Sequence, residues 1–248
     1  MLKGILSFAG QTRLLIFTLA FALCASAPAR AQQRPSPEQI LQTTAANGQK
    51  VLEALHGYTY YAELTLETVS QAETITGTYY RFSQVSFDSR GARQEKVFEN
   101  KTTLPKEIHI GTNAVNNMTR VYQFIITPET LARYEISYVG RERIDELDTY
   151  VFDVRPRVRL PNPEKSDERF LRGRVWIDEQ DMQVVKVAGE AVPEQSNHRT
   201  PRFETYFQNH DKYWFPAYTS ADDNVRAGGR RTRVIVKARF TSYKKTGG

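Results

Sequence analysis

Hydrophobic and polar positions follow two different periods along the chain. From Ser36 to Gly57 the apolar residues recur about every 3.6 positions, which is typical of a helix with one apolar face. Ser36 suits the N-cap, Pro37 suits the first turn, and Gly57 suits the C-terminal end. The pattern predicts an amphipathic helix that covers another element of the fold.

The period changes to two at Tyr58 and stays close to two for most of the remaining chain. Such alternation indicates strands with one apolar face, and the short connections between them require antiparallel pairing. A turn is expected over 221–231, a long loop over 100–120, and a short helix over Pro128–Arg133 with Thr127 as its cap. Strands are predicted at 58–67, 74–87, 92–99, 134–144, 148–156, 172–178, 183–190, 202–209, 212–219 and 232–243.

The predicted fold class is mainly β. Ten strands are too many for a comfortable flat sheet, so they either curl into a half-open barrel or divide into a sandwich. We expect a curled antiparallel sheet, or unclosed β-barrel, of about ten strands with an N-terminal helix and a short helical lid. A curled sheet of this kind has a concave apolar side.

Residues 1–31 have the features of a cleavable signal peptide. Lys3 and Arg13 precede an apolar run of about 14 residues, which is shorter than a membrane-spanning helix. Cleavage is expected after Ala31, and Leu23 before Cys24 argues against lipid attachment. The alternative is an uncleaved amphipathic anchor. The predicted domains are therefore a signal peptide at 1–31 and a single β domain at 32–248, located in the periplasm or secreted.

Charge and cysteine content narrow the class of protein. Without the signal peptide the chain has 31 basic and 28 acidic residues, a weaker basic bias than a general nucleic-acid binder carries. Its only cysteine, Cys24, is lost with that segment. An exported domain without disulfides depends on core packing for its stability.

Catalytic chemistry is not evident in the sequence. There is no G-x-S-x-G or S-x-x-K motif and no glycine-rich phosphate loop. His198 and His210 flank one strand with Glu204 between them. These residues either form a metal site when the chain folds or are ordinary loop histidines. The acidic pairs 178/181 and 222/223 fall in predicted turns, where aspartate bonds its own backbone. We predict no enzyme activity, no catalytic residue, no metal and no cofactor.

Two hairpins resemble those of the LolA/LolB-like, or outer-membrane lipoprotein-sorting-like, superfamily. The segment 138–156 resembles its central hairpin, and 172–178 with 181–186 resembles its tryptophan-apolar-aspartate hairpin. Phe215-Pro216 and the strand 232–243 follow in the expected order, although 78–83 lacks the phenylalanine-arginine-tryptophan signature of the carrier proper. The resemblance is to an exported branch and implies an unclosed barrel with a helical lid. In that superfamily the barrel holds acyl chains of lipoproteins, and RseB-type periplasmic sensors use the same fold for regulation.

Aromatic and aliphatic residues on the predicted strands are candidates for a cavity wall. The alternative is ordinary sheet core, because aromatic residues favour strands in any case. Apolar ligand sites are lined by such side chains, and the resemblance adds weight to that interpretation. The candidate wall residues are Tyr58, Tyr60, Leu64, Leu66, Tyr80, Phe82, Tyr150, Phe152, Trp176, Val234, Val236 and Phe240.

Three functions follow from these features. The first is a periplasmic carrier or sensor that binds acyl chains of lipids or lipoproteins in a concave apolar cavity. The second is a non-catalytic module that binds an envelope protein and whose sheet is filled by its own side chains. The third, an envelope hydrolase, lacks an identifiable nucleophile. Arginine groups at 155–159, 169–174 and 226–233 are either solvated or contact an anionic membrane surface. No nucleic-acid partner is expected.

Overall fold

The computed structural model describes residues 34–106, 119, 121–194, 200–227 and 230–246. The predicted signal peptide, its cleavage site and most of the predicted loop at 100–120 lie outside these residues. Within the described part, Pro35 begins the compact unit that contains the helices and the sheet.

The N-terminal helix α1 spans Pro37–His56, as the apolar period predicts. Ser36 Oγ accepts a hydrogen bond from the Gln39 amide at 3.3 Å, and Gln39 Oε1 accepts one from the Ser36 amide at 2.8 Å. This reciprocal pair satisfies two of the amides that a helix start leaves unbonded. At the other end the Gly57 amide donates to the Ala54 carbonyl at 2.9 Å.

Within the described residues, ten antiparallel strands form one unclosed sheet and not a sandwich, which confirms the mainly-β prediction. The strand order is β3-β2-β1-β10-β9-β8-β7-β6-β5-β4, so β3 and β4 are the free edges. A second helix, α2, spans Pro128–Arg133 and is capped by Thr127, as predicted. The strands are β1 (Tyr58–Val69), β2 (Ile75–Phe87), β3 (Arg93–Thr102), β4 (Tyr134–Ile144), β5 (Leu147–Pro156), β6 (Phe170–Asp178), β7 (Val184–Val192), β8 (Phe203–His210), β9 (Tyr213–Ala227) and β10 (Arg230–Lys245).

The turn predicted at 221–231 is wrong in its extent, because β9 continues to Ala227 and β10 begins at Arg230. The residues of this region are mostly polar, which suggested a loop. The alternation nevertheless persists, with Ala221 and Val225 buried. Across the hairpin, Arg233 binds the Asp222 carboxylate through two hydrogen bonds of 2.8 Å each.

Strand β10 shows the two faces of the sheet clearly. Four of its side chains are buried in apolar clusters that also contain residues of α1, and we call their side of the sheet the helix-covered face. These residues are Val234, Val236, Ala238 and Phe240. The intervening side chains, such as Lys237, point to the opposite side, which we call the open face. This alternation follows the predicted pattern.

Residues 121–126 lie outside the strands but contribute to the core on the helix-covered face. Val121, Tyr122, Phe124 and Ile126 are each at most 6% exposed and belong to the same apolar cluster as Ile40 of α1 and several sheet residues. We call this stretch the interior segment. The helix-covered side of the sheet is therefore filled by side chains of the chain itself.

Candidate functional site

Nine of the twelve candidate wall residues lie together on the helix-covered face. Eight are buried, and Leu64 is half-buried where the two apolar clusters of this face meet. These nine residues are Tyr58, Tyr60, Leu64, Leu66, Tyr150, Phe152, Val234, Val236 and Phe240.

The structure places Tyr80, Phe82 and Trp176 on the open face instead. Residues directly opposite in an antiparallel pair share a face, and β1 pairs Phe82 with the outward Glu63, whereas Leu66 opposes Tyr79. The inward positions of β2 are thus Tyr79, Arg81 and Ser83.

Trp176 also lies on the open face, because side chains alternate between the two faces along β6 and its position falls on the open side. It packs there with Val151 and Val185, while its neighbours in the strand, Val175 and Ile177, belong to the helix-covered cluster. Its indole Nε1 donates to Glu142 Oε2 at 2.9 Å, and Lys186 Nζ lies 4.7 Å from the ring centre. Both faces of β6 are apolar here, so alternation alone could not assign the tryptophan.

Voids next to the helix-covered wall residues are too small for a lipid chain. One beside Leu64 and Phe240 has a volume of about 30 Å³, and one beside Val51 and Phe207 has about 10 Å³. Ligand pockets usually measure about 300–1,000 Å³, so the first of these voids has room for one water-sized group. A cleft of about 270 Å³ beside α2 lies near the lower end of that range.

One ligand-sized concavity of the described chain lies on the open face, and a second, of about 620 Å³, lies beside Val69, Thr76 and Arg233. The first is a groove of about 1020 Å³ that crosses β4 to β10, and we call it the open-face groove. Five basic and four acidic residues line it, in addition to Trp176 at its floor. The charged lining residues are Asp153, Arg155, Arg172, Arg174, Glu190, Arg202, Glu204, Asp222 and Lys237.

Ion pairs link the charges of the open-face groove across neighbouring strands. Glu190, whose side chain is 9% exposed, contacts Arg172 at 2.7 Å and Arg202 at 3.7 Å. Arg174 contacts Asp153 at 2.9 Å, and both of these side chains are about half exposed. An exposed pair such as Arg174–Asp153 contributes at most about 1 kcal/mol, so a ligand can exchange it for its own contacts.

Lys186 contacts both a charged residue that lines the groove, Glu204, and the aromatic rings of Trp176 and Tyr206. Its ammonium contacts Glu204 at 3.1 Å and lies 4.9 Å from the ring centre of Tyr206. Burial alone would lower the pKa of Lys186, but hydrogen bonds with Tyr206 and Glu204 outweigh burial and raise it. The lysine therefore keeps its charge at neutral pH.

A charged cluster that the sequence patterns did not reveal lies on the helix-covered face of β2 and β3. Arg81 and Glu95 have side chains only 10% and 13% exposed and are 3.0 Å apart, and Arg93 contacts the same carboxylate at 3.1 Å. Burial alone would raise the pKa of Glu95, but hydrogen bonds from Arg81 and Ser83 and the charges of the two arginines lower it to about 2. The sequence pattern that could have indicated this cluster is the pair of polar residues two positions apart on each strand, 81 and 83 on β2 and 93 and 95 on β3.

In the described residues, no group of three or more His, Cys, Asp or Glu is placed to hold a metal ion. His210 packs against Tyr243 at 4.8 Å between ring centres, and His198 lies outside the described residues. Asp178 accepts backbone hydrogen bonds from Gln180 and Asp181, as expected of a turn aspartate. No helix in the described ranges is long and apolar enough to cross a membrane.

Comparisons with known proteins give distant structural neighbours. No protein-family model matches the sequence, and no characterised protein matches it in sequence. A DUF1329 family protein from Desulfovibrio piger has a TM-score of 0.40 and 10% identity, over 83% of this chain and 94% of that chain. A putative outer membrane lipoprotein-sorting protein domain from Vibrio parahaemolyticus has a TM-score of 0.42 and 12% identity, over 84% and 94%.

A third neighbour is a LolA superfamily protein from Nitrosomonas europaea, with a TM-score of 0.37 and 12% identity over 81% of this chain and 94% of that one. The LolA-like resemblance noted in the sequence thus recurs among the structural neighbours. At these TM-scores the likeness transfers no ligand, residue role or partner to this chain.

Proposed function

We propose that this protein is a non-catalytic binding protein of the cell envelope that recognises a segment of a partner protein through the open-face groove. The observation that supports the proposal is the contrast in size between the two faces. The groove measures about 1020 Å³, whereas the voids beside the wall residues of the helix-covered face measure about 30 and 10 Å³. The envelope location rests on the signal-peptide pattern of residues 1–31.

The chemistry of the groove favours a polypeptide as its ligand. Acidic and basic side chains alternate across its strands, so a purely anionic or purely apolar ligand would leave many of these charges without a counterpart. A polypeptide segment carries both signs of charge together with backbone donors and acceptors. Such complementarity contributes mainly specificity and association rate.

The groove is expected to cross-link to its partner in living cells. A photoreactive phenylalanine analogue at Ser220, which lines the groove, should give a discrete adduct of higher mass after irradiation. The same analogue at Thr241, an exposed position of β10 outside the groove, is the matched control and should give none. Adducts of equal yield from both positions would contradict the proposal.

A charge reversal tests the same site. Arg174→Glu removes the pair with Asp153 and places two carboxylates side by side, so we expect the cross-linking yield from Ser220 to fall about tenfold. The control Arg239→Glu lies on the open face beyond the groove and should leave the yield unchanged. Because Arg174 is exposed, the fold should lose less than about 1 kcal/mol.

A second candidate function is the acyl-chain carrier, and the interior segment favours it. Residues 121–126 place four buried side chains in the same apolar cluster as six of the nine wall residues without belonging to a strand. An acyl chain that displaced this segment would find an apolar wall, and each methylene buried would contribute about 0.8 kcal/mol. In this case the structure is the closed form of a carrier, and it must open before it takes up lipid.

A further inference from the structure

The charged cluster on β2 and β3 contains more hydrogen-bond donors than acceptors. Glu95 Oε1 accepts from Arg81 Nε at 3.1 Å and from Ser83 Oγ at 2.5 Å. Glu95 Oε2 contacts Arg81 Nη2 at 3.0 Å and accepts from Arg93 Nη1 at 3.1 Å. A carboxylate offers about four acceptor positions, so Glu95 has none left for a further donor.

Among the residues that the structure describes, two donors beside this saturated carboxylate have no hydrogen-bond partner. Arg93 Nε and the Tyr122 hydroxyl are buried polar atoms without a hydrogen bond, and both residues line the void of about 30 Å³. Tyr122 is 2% exposed and comes from the interior segment, whereas Arg93 comes from β3.

The charged cluster carries a net positive charge, which, like its unused donors, favours a negatively charged acceptor. Arg81 and Arg93 carry two positive charges against the single negative charge of Glu95, and the lowered pKa of that carboxyl keeps it ionised at neutral pH. The Arg93 side chain is 27% exposed, so solvent screens part of its charge, whereas each buried donor normally has an acceptor. The two donors therefore require an acceptor, and the net positive charge of the cluster favours an anion.

We infer that the void beside Arg93 and Tyr122 is a binding site for one small monovalent anion of halide size. A volume of about 30 Å³ holds one water-sized group, which excludes sulfate, phosphate and the head of a lipid together with its chain. A water molecule would fit the space and accept two hydrogen bonds, but it would leave the excess positive charge uncompensated. A halide ion accepts from both donors and neutralises that charge.

The position of the site gives the anion a structural consequence. It joins Tyr122 of the interior segment to Arg93 of β3, two elements that the described hydrogen bonds do not otherwise connect at this point. A bound anion therefore holds the interior segment against the sheet and keeps the helix-covered side closed.

Thermal unfolding in matched salts tests the inference. Wild-type protein in sodium chloride should melt at a higher temperature than in sodium gluconate of the same concentration, with a chloride dependence that saturates, because gluconate is too large for the void. Tyr122→Phe removes one donor without changing the ring and should weaken chloride binding about tenfold. The control Tyr206→Phe removes a hydroxyl on the open face and should keep the wild-type chloride dependence.

Crystals grown in sodium bromide give an independent readout. An anomalous bromide peak between Arg93 and Tyr122 would establish the site, and its loss in Tyr122→Phe would assign the hydroxyl as a ligand. Equal melting temperatures in chloride and gluconate, together with a water molecule and no bromide at this position, would overturn the inference.

Discussion

Replacing Glu95 by glutamine is expected to lower the free energy of unfolding by about 3 kcal/mol at neutral pH. The pKa of Glu95 is lowered from 4.5 to about 2 in the folded protein, and each unit corresponds to about 1.4 kcal/mol. The substitution also leaves Arg81 and Arg93 without their shared carboxylate in a mostly buried place. Breaking a buried pair from one side typically costs about 3–5 kcal/mol.

The same carboxylate predicts a specific pH dependence. As the pH falls, the unfolded chain takes up a proton on Glu95 near pH 4.5, whereas the folded protein does so only near pH 2. The stabilisation is therefore complete above about pH 4.5 and is lost as the pH falls towards 2. Urea unfolding of wild type and Glu95→Gln at several pH values should show the difference between them shrinking across this window.

The control for this prediction is Glu99→Gln on the same strand. Glu99 pairs with Lys101 on the surface, with side chains 38% and 75% exposed, so its removal should cost less than about 1 kcal/mol. If Glu95→Gln were as mild as Glu99→Gln, the buried cluster would not have the role in stability described above.

Replacing Gly48 by alanine is expected to destabilise the protein by about 2 kcal/mol, although alanine is the better helix former. A Cβ atom at position 48 would lie 1.9 Å from the Ile126 carbonyl oxygen and 3.0 Å from Ile125 Cγ2. Because the first of these atoms is backbone, α1 and the interior segment must move apart. Overpacking of this kind costs about 1–3 kcal/mol, which exceeds the roughly 1 kcal/mol that alanine gains in a helix interior.

Urea unfolding measures the loss, and hydrogen exchange of the α1 amides shows where it occurs. Gln42→Ala, on the exposed side of the same helix, is the matched control and should change stability by less than about 0.5 kcal/mol. An increase of about 1 kcal/mol for Gly48→Ala would mean that the helix does not pack closely on the interior segment.

The helix ends and the strand alternation were predictable because local chemistry determines them. Ser36, Pro37 and Gly57 mark the ends of α1 by the hydrogen bonds and backbone angles they allow. Strand β10 alternates strictly because one face packs on the core while the other meets solvent. Both signals lie within a few residues of the structure they predict.

Tyr80 and Phe82 do not lie with the wall candidates of the helix-covered face, because a buried ion network takes the inward positions of β2. Arg81 and Ser83 take the inward positions since Glu95 of β3 satisfies them, so the polar residues of this strand face the core. Phe82 instead stacks on Tyr61 at 5.4 Å on the open face. Hydrophobic alternation in one strand cannot reveal a polar partner in another.

The open-face groove depends on tertiary structure that the sequence pattern does not contain. Its lining comes from seven strands and includes Gly173 and Gly189, where two strands approach closely. A Cβ atom at either glycine would approach the neighbouring strand's backbone to 2.1 and 2.5 Å. The sequence identified arginine groups at 155–159 and 169–174, and the folded sheet brings members of both groups into one groove.

Native mass spectrometry of residues 32–248, the chain without the predicted signal peptide, tests whether the protein's own side chains fill the helix-covered interior. The protein is incubated with palmitic acid and, separately, with a triacylated lipopeptide. We expect the mass of the protein alone in both cases. A stoichiometric acyl adduct that disappears in Leu64→Glu and persists in Thr65→Glu, its open-face neighbour, would show instead that the interior takes up lipid and would establish the acyl-chain carrier.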